Sequence, residues 1–414
     1  MKRSHFVTAI AGGLVTAAPT FIPRRSAAAD QIKIGAIEPQ TGVFAMNGVN
    51  QIKGAQLAVE HVNARGGAMG REVALVVQDS ASDPGVGVQK AREAVNQQGC
   101  VALIGAVSSA TALSVSGASN AMNVLFIDSG GHADQVTGSD CHYNTFRTCH
   151  STWMETHATG YSFAKKFGKK WYLITPDYAF GHALSAGYRA IAKTVGATIV
   201  EDLTPLGTAD FSPYLTKVAP AKPDMLIVLV AGTDFVNCLK QAYTFGLTQR
   251  IPVGGPQVEL ESVWALPEEA RLGYWGTEWY FEGEIVLGKR GSEGWKFAAE
   301  YQKKFGSPPT MRSAFGYISL TRLAAAINDA KSTDAVKLAR AMEGTHFTSI
   351  FEGDAYYRAV DHQMMWPMWI AKIRPNGTPE NKLDVFEMVD RQPADLIEQS
   401  VAEKKLVCNL GYPS

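Results

Sequence analysis

One rhythm constrains this chain more than any other feature and occurs in two successive series: short apolar runs alternate with segments whose apolar residues recur every three or four positions. Such alternation predicts parallel strands joined by crossover helices. In the first series Ile32 to Ile37, Glu72 to Gln78, Val101 to Ile104 and Val124 to Ile127 read as strands, with Tyr143 to Thr148 extended at its end. Between the first two, Ile52, Ala55, Ala58, Val59 and Val62 share one helical face, and Gly66-Gly67 offers a left-handed closure. Pro84 suits the first turn of a second helix, and Ser108-Ser109 the start of a third.

The second series begins at Lys170. Trp171 to Thr175, Ala197 to Glu201, Asp224 to Val230 and Ile251 to Gly254 read as strands, and Gly181 to Val195, Tyr214 to Val218 and Asp234 to Phe245 as helices. Asp224 to Val230 is nearly unbroken in its apolarity, as a strand covered on both faces must be. Beyond Ser292 the pattern turns helical (Glu293 to Phe305, Ser313 to Lys331, Thr333 to Met342). Strands are then expected at Phe351, Tyr356-Tyr357 and Pro367 to Ile373, and from Arg391 the tail is polar and poorly patterned. The fold class is therefore α/β, with two lobes and no low-complexity linker between them.

Composition excludes several alternatives. With 46% hydrophobic and 19% charged residues, the 414-residue chain is too apolar for disorder, and its apolar runs are too short for many membrane spans. Thirty-nine basic residues balance 39 acidic ones, so no positive field favours nucleic acid. Residues 1–29 resemble a secretory leader: Lys2-Arg3, an apolar stretch from Phe6 to Ala18, and Ala27-Ala28-Ala29 before Asp30. Read as a membrane anchor, the same stretch is interrupted by Gly12-Gly13, Pro19 and Pro23 short of the ~20 apolar residues a span needs. No cysteine precedes Cys100, so no thiol sits at the cleavage site to carry a lipid, and an exported, freely diffusing chain is expected.

Five cysteines in an oxidising compartment allow up to two disulfides and a leftover thiol. Cys141-His142 and Cys149-His150 lack the two-to-four-residue thiolate spacing of a zinc site, so no metal is expected there. An extended Tyr143 to Thr148 would hold Cys141 and Cys149 too far apart to bridge, and Cys141 with Cys408 is the preferred pair.

Enzyme signatures are missing: there is no phosphate loop ending in Gly-Lys-Ser/Thr, no His-Glu-x-x-His and no Gly-x-Ser-x-Gly elbow. Gly66 to Gly70 follows a helix instead of opening one, the wrong context for a dinucleotide. The reading is a non-enzyme, with no cofactor. Ligands of open α/β sheets sit beyond the carboxyl ends of strands. In the first lobe those loops are Gly42 to Asn47, Ala106 to Ala110 and Ser129 to His132. Ser108 and Ser109 set two hydroxyls at a helix N-terminus, where the dipole favours a carboxylate, although capping alone also explains them. Gly130-Gly131 permits close approach to the backbone, and His132 offers a donor or is a solvated loop histidine. In the second lobe the corresponding loops hold Tyr178 with Phe180, Ala231 with Asp234, and Gln257. The aromatic run at Trp275, Trp279, Tyr280 and Phe281 reads as core strand.

These segments carry a resemblance. Ile34-Gly35 to Thr41-Gly42, Gly54-Ala55 to Asn63-Ala64-Arg65-Gly66-Gly67 with Gly70, and Asp79 with Asp83-Pro84 resemble the opening of the leucine/isoleucine/valine-binding family of periplasmic receptors. Further matches are Ile104-Gly105 with Ser108-Ser109, Asp177-Tyr178-Ala179-Phe180-Gly181, Phe211, Lys222-Pro223-Asp224, and Arg358 with Asp361-His362-Gln363. The likeness implies a type I periplasmic binding protein whose two lobes, joined by three crossings, close over a small ligand and present it to the permease subunits of an ABC importer. It implies one lobe from residues 30–148 and 282–350 and another from 149–281 and 351–414, in a monomer. It also implies that Ser109 and Gly130 to His132 hold a ligand carboxylate, with an aromatic at Phe180.

Here the chain departs from the family pattern. The acidic position that pairs with an α-ammonium falls on Gln257, family tyrosines fall on Ala231 and Asn47, and Ser108 stands where a cysteine flanks the binding serine. A neutral amide cannot pair with an ammonium as a carboxylate does. Either Glu259 or Asp234 supplies the charge, or the ligand is an amine-free carboxylate such as an aromatic or keto acid. A sensor subunit of the same fold and a periplasmic hydrolase are the alternatives.

Overall fold

The computed structural model describes Met1 and residues 31–413, so the expected leader, apart from Met1, lies outside the described residues. The first sheet contains β1 (Ile32–Glu38), β2 (Val73–Asp79), β3 (Ala102–Gly105), β4 (Leu125–Asp128) and β5 (Thr145–Arg147). They pair in the order β2-β1-β3-β4-β5, every pair parallel. The second sheet contains β6 (Lys170–Pro176), β7 (Thr198–Thr204), β8 (Met225–Val228), β9 (Val253–Gly255) and β10 (Tyr274–Thr277), all in parallel pairings. A small antiparallel sheet follows, of β11 (His346–Thr348), β12 (Asp354–Tyr357) and β13 (Met364–Met365). Finally β14 (Met368–Ile373) and β15 (Phe386–Gln392) return antiparallel to the second sheet, whose order becomes β15-β14-β10-β9-β8-β6-β7.

Both sheets reverse their winding direction once, and this places the site. The chain steps from β1 outward to β2 and then back across to β3; it steps from β6 outward to β7 and back across to β8. Each reversal opens a crevice at the carboxyl ends of the two flanking strands. The loops after β1 and β3 therefore flank one crevice, and those after β6 and β8 the other.

Helices cover the first sheet. The helix Met311–Ala330 lies along the helix Ala45–Ala64, and a Cβ on Gly54 would meet the Ser313 carbonyl oxygen at 1.8 Å. Glycine there lets the two backbones touch and fixes the start of the Met311–Ala330 helix over the sheet. No helix among the described residues is long and apolar enough to cross a membrane.

Several parts of the chain depart from the sequence pattern: Phe351, expected as strand, lies in a bend between β11 and β12, and Tyr214 to Val218 divides between two short helices, Ser212–Leu215 and Val218–Ala221. The helix Thr152–Phe167 is rich in Thr, Ser and Gly, so its apolar face (Met154, Ala158, Phe163) gives a weak period; Ser151 caps it by accepting from the Met154 N–H. The polar tail is ordered: β15 is an edge strand, and the helix Val401–Val407 begins with a reciprocal cap between Ser400 and Glu403. The aromatic run behaves as core, with Trp275, Trp279, Tyr280 and Phe281 all buried. Cys141 and Cys408 form a disulfide, while Cys100, Cys149 and Cys238 are free and buried.

Candidate functional site

The two crevices face each other, and their loops enclose a small cavity. Phe44, Val107, Ser109, His132 and Arg312 line it from one side, and Tyr178, Phe180, Ala231 and Gln257 from the other. Its volume is about 10 Å³. The Phe44 and Tyr178 rings lie 6.4 Å apart, and those of His132 and Phe180 5.9 Å apart, so aromatic edges meet from both sides. Larger depressions occur elsewhere, such as one lined by His61, Glu300 and Tyr317, but they share no residue with the cleft.

The polar groups of the cavity retain unused bonding capacity. Ser109 Oγ accepts the Ala133 N–H at 3.0 Å, which leaves the hydroxyl proton free to donate. Both amide atoms of Gln257, buried to 7% exposure, have no partner. His132 Nε2 is also unpartnered; burial lowers the ring to about 3, so the imidazole is neutral and is no solvated loop histidine.

Arg312 is the residue the sequence reading missed. It sits in the first turn of the Met311–Ala330 helix, one residue before the segment read as helical. Its Nη2 lies 2.6 Å from Glu259 Oε1, its Nη1 donates to the Gly130 carbonyl at 3.2 Å, and its Nε has no partner. Burial opposes the charge, but Glu259 outweighs it and holds the guanidinium protonated. The signal available in the sequence was a lone cation opening a run of small and apolar residues.

Other expected residues fall beside the cavity instead of on it. Ser108 is the residue preceding the helix Ser109–Ala121, is buried, and makes no capping bond with its side chain. The Gly130 and Gly131 N–H groups donate to Asp128 Oδ1 at 3.1 and 2.7 Å, so they are already committed. What Gly130 admits is Arg312: a Cβ there would lie 2.4 Å from Nη1. Asn47 donates to Glu261 at 3.1 Å, and Asp234 accepts the Gly207 N–H at 2.9 Å. Burial raises Asp234 to about 6 and Glu261 to about 7. Neither carboxyl reaches the cavity lining, and Glu259, the other candidate for an ammonium, is paired with Arg312.

Two facing switch-point crevices around a polar-aromatic cavity, on two winding α/β sheets, define a two-lobed solute-binding protein. A periplasmic binding protein family model matches residues 31–378, and the chain belongs to that family. A Leu/Ile/Val-binding protein homolog 4 of Brucella melitensis is 24% identical over 95% of this chain and 97% of its own length. Among solved structures, a periplasmic binding protein from Burkholderia mallei is 27% identical, with a TM-score of 0.83 over 93% of this chain and 100% of that one. An amino acid ABC transporter substrate-binding protein from Pseudomonas fluorescens Pf-5 is likewise 27% identical, with a TM-score of 0.82 over 91% and 98%.

Proposed function

We propose that this chain is the periplasmic solute-binding subunit of an ABC importer, working as a monomer without catalysis, and that its ligand is a small amine-free carboxylate such as an aromatic or keto acid. The observation that carries the ligand class is the charge on the cavity wall: Arg312 lines it and no carboxylate does. Ser109, Gln257 and His132 add neutral bonding groups, and Phe44, Tyr178 and Phe180 supply ring faces for an apolar body. A ligand carboxylate would compete with Glu259 for the guanidinium, a charge-assisted and bidentate-capable donor. Contacts from both sides make closure a population shift driven by the ligand's preference for the closed form, which the permease then reads.

An amino acid ligand is the second reading. Glu259, released from Arg312 by a ligand carboxylate, would become a free anion at the edge of the site, able to take an ammonium. A thermal-shift screen of the purified protein separates the two, because a ligand selective for the folded state raises the midpoint. Shifts with benzoate-type and keto acids but not with leucine or valine support the first; shifts with amino acids alone overturn it.

A further inference from the structure

Behind His132, away from the cavity, the structure brings three side chains together from three segments. His132 lies on the loop after β4, Glu155 on the helix Thr152–Phe167, and Glu278 directly after β10. One donor atom from each lies within 4.8 Å of the others. Nδ1 of His132 is 2.6 Å from Glu155 Oε1 and 3.2 Å from Glu278 Oε1. The side chains of both glutamates are fully buried, and that of His132 is 2% exposed.

Hydrogen bonding leaves this cluster unsatisfied. When Nδ1 of His132 carries the ring proton it donates to the His150 carbonyl oxygen at 3.1 Å, a bond that metal coordination at Nδ1 would replace. Both oxygens of Glu155 and the Oε1 of Glu278 have no hydrogen-bond partner, although Glu155 Oε1 and Glu278 Oε1 both approach Nδ1. Glu278 Oε2, by contrast, accepts from the His150 backbone and faces its ring Nδ1, each at 2.7 Å. That fixes the carboxylate so that Oε1 faces the cluster. Two buried carboxylate oxygens, Glu155 Oε1 and Glu278 Oε1, thus converge on one imidazole nitrogen, an arrangement that a bound cation would satisfy.

We propose that His132 Nδ1, Glu155 and Glu278 form a binding site for a divalent metal ion of the zinc class. One imidazole and two carboxylates are a donor set that zinc accepts, and three protein ligands leave one position open. His150 is the outer partner that orients a ligating carboxylate. Because the ligands come from the loop of the first sheet, the long helix after β5 and the end of a strand of the second sheet, the ion ties together the segments around the cleft. Coordination through Nδ1 places the imidazole proton on Nε2, the unpartnered nitrogen of a residue that lines the cavity. The metal therefore sets His132 as a hydrogen-bond donor whatever solute the cleft takes.

The test uses the whole purified protein, stripped with a chelator, exchanged into metal-free buffer and titrated with ZnCl2, with metal content read by mass spectrometry and affinity by calorimetry. One zinc per folded chain is expected. Glu155→Gln weakens binding by more than the roughly 10- to 100-fold that loss of an outer partner alone costs, while Glu261→Gln, outside the triad, leaves it unchanged. Should Glu155→Gln not fold, the wild-type stoichiometry still decides. No stoichiometric zinc uptake by the wild type, uptake insensitive to Glu155→Gln, or preference for Mg2+ or Ca2+ over zinc overturns the proposal.

Discussion

Arg312 and Glu259 meet across the cleft at 2.6 Å, with side chains 2% and 3% exposed. One comes from a helix packed on the first sheet and the other from the loop after β9 of the second, so the pair links elements of both sheets and already occupies the guanidinium. Replacing Glu259 by Gln leaves a buried guanidinium without its anion, which costs about 3–5 kcal/mol when a buried pair is broken. Melting curves of Glu259→Gln are therefore expected to fall well below wild type, and a bound acid to recover more stability in the variant than in the wild type. Equal gains in the two proteins would show that the acid does not take the place of Glu259.

Arg312→Met removes the cavity's cation while keeping most of the side-chain volume. Affinity for a carboxylate ligand is expected to drop by about 1.5–3 kcal/mol, the range for bonds to charged groups. Calorimetry on the folded variant checks this, and unchanged affinity would remove Arg312 from the site.

Ser109→Ala deletes the free hydroxyl proton and the acceptor for the Ala133 N–H together. A loss of about 1–3 kcal/mol in ligand affinity is expected. An unaltered dissociation constant would reduce Ser109 to a helix-start residue.

Stability should decline as pH rises through neutrality. Burial raises Glu38 to about 8, Asp128 to about 7 and Asp234 to about 6. Each folded-state value lies above the unfolded one, so the folded protein holds protons the unfolded chain has released. Their contribution is complete below about pH 4, near the unfolded carboxylate values, and is lost as pH climbs to 8. Glu278 and His132 act oppositely. Burial opposes the Glu278 charge, but His132 and His150 lower it to about 2, so its contribution is lost as pH falls from about 4.5 toward 2. Burial lowers His132 to about 3, so its cost is relieved as pH rises toward 6.5; the three raised carboxyls outweigh this between pH 5 and 8. Glu38→Gln is expected to flatten the decline between pH 5 and 8 in thermal melts, and a wild-type midpoint that rises over that range would contradict the assignment.

The Cys141–Cys408 bond joins residues 267 positions apart and pins the tail to the segment before β5. Reduction, or Cys408→Ser, should lower stability by about 2–5 kcal/mol, the range for loss of a native disulfide. Equal melting with and without reductant would show that the tail's packing suffices.

The fold was largely legible because parallel strands covered on both faces leave unbroken apolar runs, as Asp224 to Val230 does. Ser109, His132, Tyr178, Phe180, Ala231 and Gln257, which line the cavity, were legible because their loops follow the carboxyl ends of sheet strands, a property of chain order. The helix Thr152–Phe167 was not, since its Thr and Ser residues blur the period. Arg312, Glu155 and Glu278 were invisible for a different reason. Their meaning lies in partners more than 15 residues away, which nothing in local spacing reports: Glu259 for Arg312, and His132 for both glutamates.

The central claim is that the cleft holds a carboxylate and has no place for an ammonium. A matched pair tests it most directly: calorimetric titration of the purified protein with 4-methyl-2-oxopentanoate and with leucine, which differ only in a keto oxygen against an ammonium. The account predicts that the keto acid binds at least tenfold more tightly, a difference of about 1.4 kcal/mol or more. Tighter binding of leucine would contradict it and would place a free anion, Glu259 first, against the ligand.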